Sequence, residues 1–207
     1  MAVQENRAFE EMLKVAQGWL RSHDPQDIAR KADVAFDEAA GQFLIPNLGR
    51  TLTVSWPECV IAPAISDWPH LVVLHYLHMA DGIPVNPRLI PFAEVKDGGL
   101  SRGSNYDRKC EDLIRRVWCG RDLAKTEAAC RALGAELISS NADLCAVFPF
   151  LPRYPMTLKL WLPEEDIPGS GRLFLSASAE HYLTIEDAVT AGEILWEALE
   201  EAYQAMK

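Results

Sequence analysis

Residues 144–177 read LCAVFPFLPRYPMTLKLWLPEEDIPGSGRLFLSA, and this stretch decides the fold class. Short apolar blocks are separated by Pro, Gly and acidic residues, which is the pattern of strands joined by turns. We predict strands at Leu144–Phe150, Met156–Leu162 and Arg172–Ala177, preceded by a first strand at Glu136–Ser139. Because the connections are short, the four strands are expected to form an antiparallel meander.

Toward the N-terminus the apolar spacing changes to that of helices. Gln4 to Leu20 has apolar residues at three- and four-residue steps, and a second short helix follows with Asp24 as its cap. Gln42–Pro46 and Arg50–Val54 alternate as two strands of a hairpin.

Further helices are predicted between this hairpin and the meander. One covers Trp68–Ala80, and another begins at Ser104, where Ser104 and Asp107 match a capping box. A third covers Asp122–Leu133, and the last helix of the chain follows a Thr184 cap.

Helices followed by strands and a final helix indicate an α+β protein, since a parallel sheet would need alternation. We expect a single α+β domain over residues 1–207. Its sheet is antiparallel or mixed, built from the N-terminal hairpin and the C-terminal four-strand meander, and packed with about five or six helices.

The composition argues against several classes of function. The 207 residues carry a formal net charge of -10, which predicts no nucleic-acid binding. The longest apolar stretch, Leu71 to Ala80, is far shorter than the roughly 20 residues that span a bilayer, so no membrane association is expected. The N-terminus lacks the pattern of a signal peptide, which favours a cytoplasmic protein.

The charge is unevenly distributed. Residues 102–131 hold eight basic and five acidic side chains, whereas residues 163–207 hold two basic and ten acidic ones. Two hypotheses follow: the basic segment packs beside the acidic C-terminal helix, or it forms a docking surface for an anion or an acidic partner.

The metal-ligating residue types are dispersed. The five cysteines contain no C-x-x-C pair, so we predict no cofactor and no iron–sulfur cluster within this chain. His75 and His78 are three residues apart on a predicted helix and supply half of a metal site at most. Core or helix-edge histidines are the favoured interpretation.

One loop is the best candidate for ligand binding. Glu94 precedes the pair Gly98-Gly99, and Arg102 and Tyr106 follow it at the start of a basic helix, whose N-terminus favours an anion. Arg153 is a candidate second contact for the same anion, because a guanidinium can hold a carboxylate or phosphate through two hydrogen bonds. The alternative is that both arginines pair with the surplus acids of the chain.

Several segments together are similar to one known family. These are LPRYPM at residues 151–156, HYLTIED at 181–187 and LHYL at 74–77, with Phe92-x-Glu94 before the Gly pair. The combination resembles domain-of-unknown-function family 3786 (DUF3786). The resemblance implies no catalytic residue. It implies a neighbourhood of redox or corrinoid chemistry, because longer relatives are expected to join this domain to an iron–sulfur module. This chain departs from those relatives in two ways: it lacks clustered cysteines, and it has Ala93 where the family is expected to have an arginine.

Motifs of common enzyme classes are missing: the sequence contains no H-E-x-x-H or P-loop pattern. Residues 99–103, GLSRG, match the letters of G-x-S-x-G, but they follow a predicted loop and not the strand that a nucleophile elbow requires. We therefore expect a non-catalytic binding or accessory domain, serving a redox, iron–sulfur or corrinoid-handling partner. The alternatives are an enzyme whose pocket binds a small anionic metabolite, and a structural module for protein–protein interaction.

Overall fold

The computed structural model describes residues 2–206 as six α-helices and two antiparallel sheets. The helices are α1 (Ala2–Arg21), α2 (Pro25–Ala32), α3 (Asp67–Met79), α4 (Ser104–Arg116), α5 (Leu123–Ala132) and α6 (Ile185–Ala205). The strands are β1 (Ala35–Asp37), β2 (Gln42–Asn47), β3 (Arg50–Ser55), β4 (Ile61–Ala62), β5 (Leu89–Ile90), β6 (Glu136–Leu137), β7 (Leu144–Leu151), β8 (Tyr154–Trp161) and β9 (Ser170–Ser176). The predicted α+β class is confirmed.

The predicted hairpin is the centre of the first sheet, whose strand order is β1-β2-β3-β4. Phe43 pairs with Val54 and Ile45 with Leu52, so these four side chains point to one buried face. The sequence did not predict the outer strands β1 and β4, because two or three residues carry no periodic signal.

The predicted meander forms the second sheet, in the order β5-β9-β8-β7-β6. Its inner face is fully buried, with Phe148 opposite Met156 and Leu158 opposite Leu173. The strand β5 extends the sheet beyond β9 and lies within residues 83–103, whose Pro, Gly and Asn content predicts mainly loop.

The two sheets meet where the turn after β2 reaches β7. The Asn47 side-chain amide donates to the Phe150 carbonyl at 2.7 Å, and the Leu48 N–H donates to the Pro149 carbonyl at 3.2 Å. The buried apolar residues form one cluster that includes both sheets and the inner faces of the helices.

The helix caps predicted at Asp24 and Thr184 are present, and Asp122 is a third cap that was not predicted. Asp24 accepts from the backbone N–H of Gln26, Asp122 from that of Lys125, and Thr184 from that of Asp187. Each satisfies an N–H that the first helical turn leaves free.

The capping box predicted at Ser104 is wrong. The α4 helix continues from a π-helical turn at Gly99–Gly103, and the Ser104 N–H already donates to the carbonyls of Gly99 and Ser101. The Asp107 carboxylate instead accepts from the backbone N–H groups of Phe92 and Ala93, at 3.1 and 2.9 Å. The Ser104 N–H is therefore not free to bind an anion.

The basic segment packs beside the acidic C-terminal helix, as one of the two hypotheses predicted. Three glutamates spaced seven residues apart on α6 each pair with a basic side chain of that segment. The pairs are Arg102–Glu186 at 2.9 Å, Lys109–Glu193 at 2.7 Å and Arg121–Glu200 at 2.6 Å. Seven residues are close to two helical turns, so the glutamates lie along one edge of the helix.

Within residues 2–206, no helix is both long enough and apolar enough to span a membrane.

Candidate binding groove

A groove of about 660 Å³ runs along the helical side of the molecule, between α1 and α3 on one wall and α4 and α6 on the other. The first wall is apolar and contains Met12, Trp68, Leu71 and Val72. Leu71 and Val72 are buried, but Met12 and Trp68 are each 42% exposed. Water therefore contacts a large aromatic ring at the rim of a concave surface.

The second wall is polar and charged. Side chains of the π-helical turn and α4 face side chains of α6, and the Arg102–Glu186 and Lys109–Glu193 ion pairs connect them. The polar residues of this wall are Arg102, Asn105, Tyr106, Lys109, Glu186, Asp187, Thr190, Glu193 and Glu197, and the apolar Val189 and Ile194 lie among them. The residues from Arg102 to Lys109 and those from Glu186 to Glu197 each recur every three or four positions. This spacing places each group on one helical face. The groove is therefore mainly apolar on one side and mainly polar and charged on the other.

Tyr106 belongs to this wall but is only 4% exposed. Its ring lies against Gly192, where an added Cβ would be 2.3 Å from the hydroxyl oxygen. The hydroxyl has no hydrogen-bond partner among the described residues, and burial raises the pKa of Tyr106 far above its usual value. The phenol is therefore neutral, and its hydroxyl does not contribute to stability through a hydrogen bond.

We accordingly expect Tyr106→Phe to leave the free energy of unfolding unchanged or to raise it by about 1 kcal/mol, because it removes a buried polar group that lacks a partner. Urea unfolding measures this. A loss of more than about 1 kcal/mol would show that the hydroxyl is bonded in solution.

A hydrogen-bonded set joins α3 to α6 where Asp187 lines the groove. His75 Nδ1 lies 2.8 Å from Asp187 Oδ1, and the Thr184 hydroxyl donates to Asp187 Oδ2 at 2.7 Å. A carboxylate oxygen accepts, so His75 Nδ1 carries the hydrogen in this contact. Asp187 lines the groove, and its contact with His75 ties α3 to α6.

His78 makes different contacts from His75. Its ring packs on Trp19 of α1, with 4.3 Å between ring centroids, and His23 stacks on Trp19 at 3.8 Å. Among the described residues, no group of three or more His, Cys, Asp or Glu is arranged to hold a metal ion.

We predict that acid weakens the contact between α1 and α3. Burial, together with His75 and His23, lowers the pKa of His78 below 6.5. The unfolded chain then binds the proton more readily, so stability is retained above about pH 6.5 and falls as the pH drops from there through the lower folded-state pKa. From about pH 7.5 to 5.5, the urea concentration at the midpoint of unfolding should fall less for His78→Phe than for the unchanged protein. A His78 pKa of 6.5 or above by NMR would contradict this.

A family model described as a domain of unknown function, DUF3786, matches residues 24–198. The chain belongs to the DUF3786 family. Neither the comparison with curated proteins nor that with solved structures found a match. In this DUF3786 protein the matched span includes α2 to β9 and most of α6, whereas α1 lies outside it. The α1 helix nevertheless packs on α3 and supplies Met12 to the groove.

The four predicted ligand-binding residues do not lie together in the DUF3786 protein. Arg102 and Tyr106 line the groove, whereas Glu94 pairs with Arg88 at 3.0 Å outside it. Arg153 lies in the turn between β7 and β8, with Nη1 at 3.4 Å from the Gly82 and Ile83 carbonyls.

Both candidate arginines face acids, as the alternative hypothesis predicted. Arg102 Nε is 2.9 Å from Glu186, and Arg153 Nε is 3.6 Å from Asp33. An anion would have to compete with these carboxylates, and ligand binding by the four residues stays a prediction.

The cysteines of the DUF3786 protein are buried and free. Burial raises the pKa of Cys59 and Cys110 to about 11 and that of Cys130 to about 12. These three side chains are therefore neutral thiols near pH 7, whereas metals bind the thiolate.

A second groove of about 600 Å³ lies between α4 and the strands β8 and β9. Trp161 and Phe174 line it together with Arg108, Arg115 and Arg172. Arg172 pairs with Glu111, and Arg115 with Asp112 at 2.7 Å, so these two charges are already compensated within the fold.

Proposed function

We propose that this DUF3786 protein is a non-catalytic binding or accessory domain that docks its partner in the groove between α1–α3 and α4–α6. The observation that carries the proposal is the amphipathic character of the groove. Met12 and Trp68 expose apolar surface at its rim, opposite a wall of paired charges. Concave sites with an apolar wall and a few placed polar groups are where proteins bind ligands.

The charged wall supports docking because it is held in place by the fold. The buried ring of Tyr106 packs on Gly192 and holds α4 against α6, and the Arg102–Glu186 and Lys109–Glu193 pairs connect the two sides at the surface. A surface that is already ordered loses less conformational entropy on binding, which improves affinity. The exposed ring of Trp68 adds an anchor of the kind that dominates binding energy at interfaces.

For the partner we propose a redox, iron–sulfur or corrinoid-handling protein. The support is the neighbourhood of redox or corrinoid chemistry that the resemblance to this family implies. Binding in trans would give this chain access to such a centre without cysteine ligands of its own.

One observation favours the enzyme alternative. Asp187 fixes the tautomer of His75 beside the groove, and a carboxylate-oriented imidazole can act as a general base. The same contact ties α3 to α6, and His75 is not among the groove-lining residues, so the binding proposal is the better supported one.

Site-specific photo-crosslinking in the native host tests the proposal. A benzophenone amino acid replaces Met12 or Trp68, and Ile138 serves as the control because it is 43% exposed and lies outside both grooves. We expect crosslinks from both groove positions to the same redox or cofactor-handling protein, and none from Ile138. Equal products from all three positions, or only partners without a redox or cofactor role, would overturn the proposal.

A further inference from the structure

The shape of the groove indicates an elongated ligand. Its lining runs along α6 from Glu186 to Glu197, and eleven helical steps of 1.5 Å make it about 16 Å long. A volume of 660 Å³ spread over that length describes a long, shallow channel. About three turns of a helix have the same length, and a helix can bury one face in such a channel.

The charge of the walls indicates the character of that ligand. The lining contains four acids, Glu186, Asp187, Glu193 and Glu197, and two bases, Arg102 and Lys109, an excess of two acids. Within the described residues Glu197 forms no ion pair, while Glu186 and Glu193 already have basic partners. A basic side chain on the ligand would complement this wall at Glu197.

The α1 helix shows how the apolar wall accepts a helix. Phe9, Ala16 and Leu20 of α1 are buried in the common core, and Phe9 makes an edge contact with Trp68 at 6.0 Å between ring centroids. This helix lies outside the matched family span, yet it covers part of α3. The groove is the uncovered part of the same surface, beside Met12.

We infer that the groove binds an amphipathic helix of the partner protein, which lies beside α1 with its apolar face on Met12 and Trp68 and basic residues toward Glu197. This inference rests on the proposed function and adds the chemical class of the docking segment. Helix-in-groove recognition of this kind uses apolar anchors at three- and four-residue steps.

A panel of labelled synthetic peptides tests the inference by fluorescence anisotropy. The basic peptide is a helix of about 14 residues with leucines on one face and lysines on the flank; one control replaces the lysines with glutamates, and another scrambles the order. We expect the basic peptide to bind about tenfold more tightly than either control. Glu197→Lys should weaken it about fivefold and strengthen the acidic peptide.

Two variants of the apolar wall make the test independent of one mutant's folding. Trp68→Glu and Met12→Glu change different helices, and each should weaken the basic peptide about tenfold, while Ile138→Glu binds like the unchanged protein. Circular dichroism confirms that each variant is folded.

The inference fails if the basic peptide binds no more tightly than the scrambled one, or if both wall variants bind like the unchanged protein. A dimer in sedimentation velocity that Trp68→Glu dissociates would assign the groove to a second copy of the chain and also overturn it. If the peptides do not bind but the photo-crosslinks are specific, the proposed function is retained and only the inference of a helical ligand is rejected. If both experiments fail, both the proposed function and the inference are rejected.

Discussion

Replacing Asp107 with alanine is expected to lower the free energy of unfolding by about 2–4 kcal/mol, because two backbone N–H groups lose their acceptor. The carboxylate accepts from Phe92 and Ala93, and Asp107 itself is 7% exposed. Water cannot readily replace it there. Asp107→Asn keeps one accepting oxygen, so we expect about half of the loss.

Asp112→Ala is the matched control on the same helix. The Asp112 side chain is 41% exposed and pairs with Arg115 and Arg116, and such surface pairs contribute about 0–1 kcal/mol. Urea unfolding of the three variants gives the comparison. If Asp107→Ala costs no more than Asp112→Ala, then Asp107 does not hold the Phe92 segment against α4.

Gly103→Ala is expected to destabilise the protein by about 3 kcal/mol or more, since overpacking against rigid atoms forces the backbone to move. A Cβ at Gly103 would lie 2.1 Å from the Phe92 carbonyl oxygen and 2.4 Å from its carbon. These are backbone atoms of the segment that Asp107 holds, so neither side can relax without breaking those hydrogen bonds.

The control for this substitution is Gly18→Ala in α1. An added Cβ there meets nothing within 4 Å. Because alanine favours the helix interior over glycine, we expect Gly18→Ala to stabilise the protein by about 0.5–1 kcal/mol. Thermal unfolding of both variants tests this. A Gly103→Ala protein with the same melting temperature as the unchanged protein would contradict the close approach of Gly103 to Phe92.

The parts of the fold that were predictable from sequence are those with enough residues to show a period. The strands β7, β8 and β9 have seven or eight residues each, and the hairpin strands β2 and β3 have six. The predicted caps Asp24 and Thr184 act on N–H groups two or three residues away, so they are local signals.

Contacts between distant segments account for the failures. The two residues of β5 pair with β9, more than 80 residues away, and carry no pattern of their own. Ser104 and Asp107 match a local motif, but Asp107 bonds to Phe92 and Ala93 instead, and the π-helical turn supplies the start of the helix.

The candidate site was predictable only in part, for the same reason. Arg102 and Tyr106 were identified because they follow the Gly98-Gly99 loop on a basic helix, and both line the groove. Periodicity places apolar residues on a helical face but does not show that Trp68 and Met12 lie at a partly open rim. Arg153 faces Asp33, which is 120 positions earlier in the chain.

The most direct test of the central claim, that the groove between α3 and α6 is the binding surface, is an NMR titration of the tryptophan side chains with the basic amphipathic peptide. Trp68 reports on this groove and Trp161 on the second one. We predict that the indole N–H resonance of Trp68 shifts or broadens as the peptide binds, while that of Trp161 stays in place. A shift of Trp161 with an unchanged Trp68 would place binding on the sheet side and contradict the account.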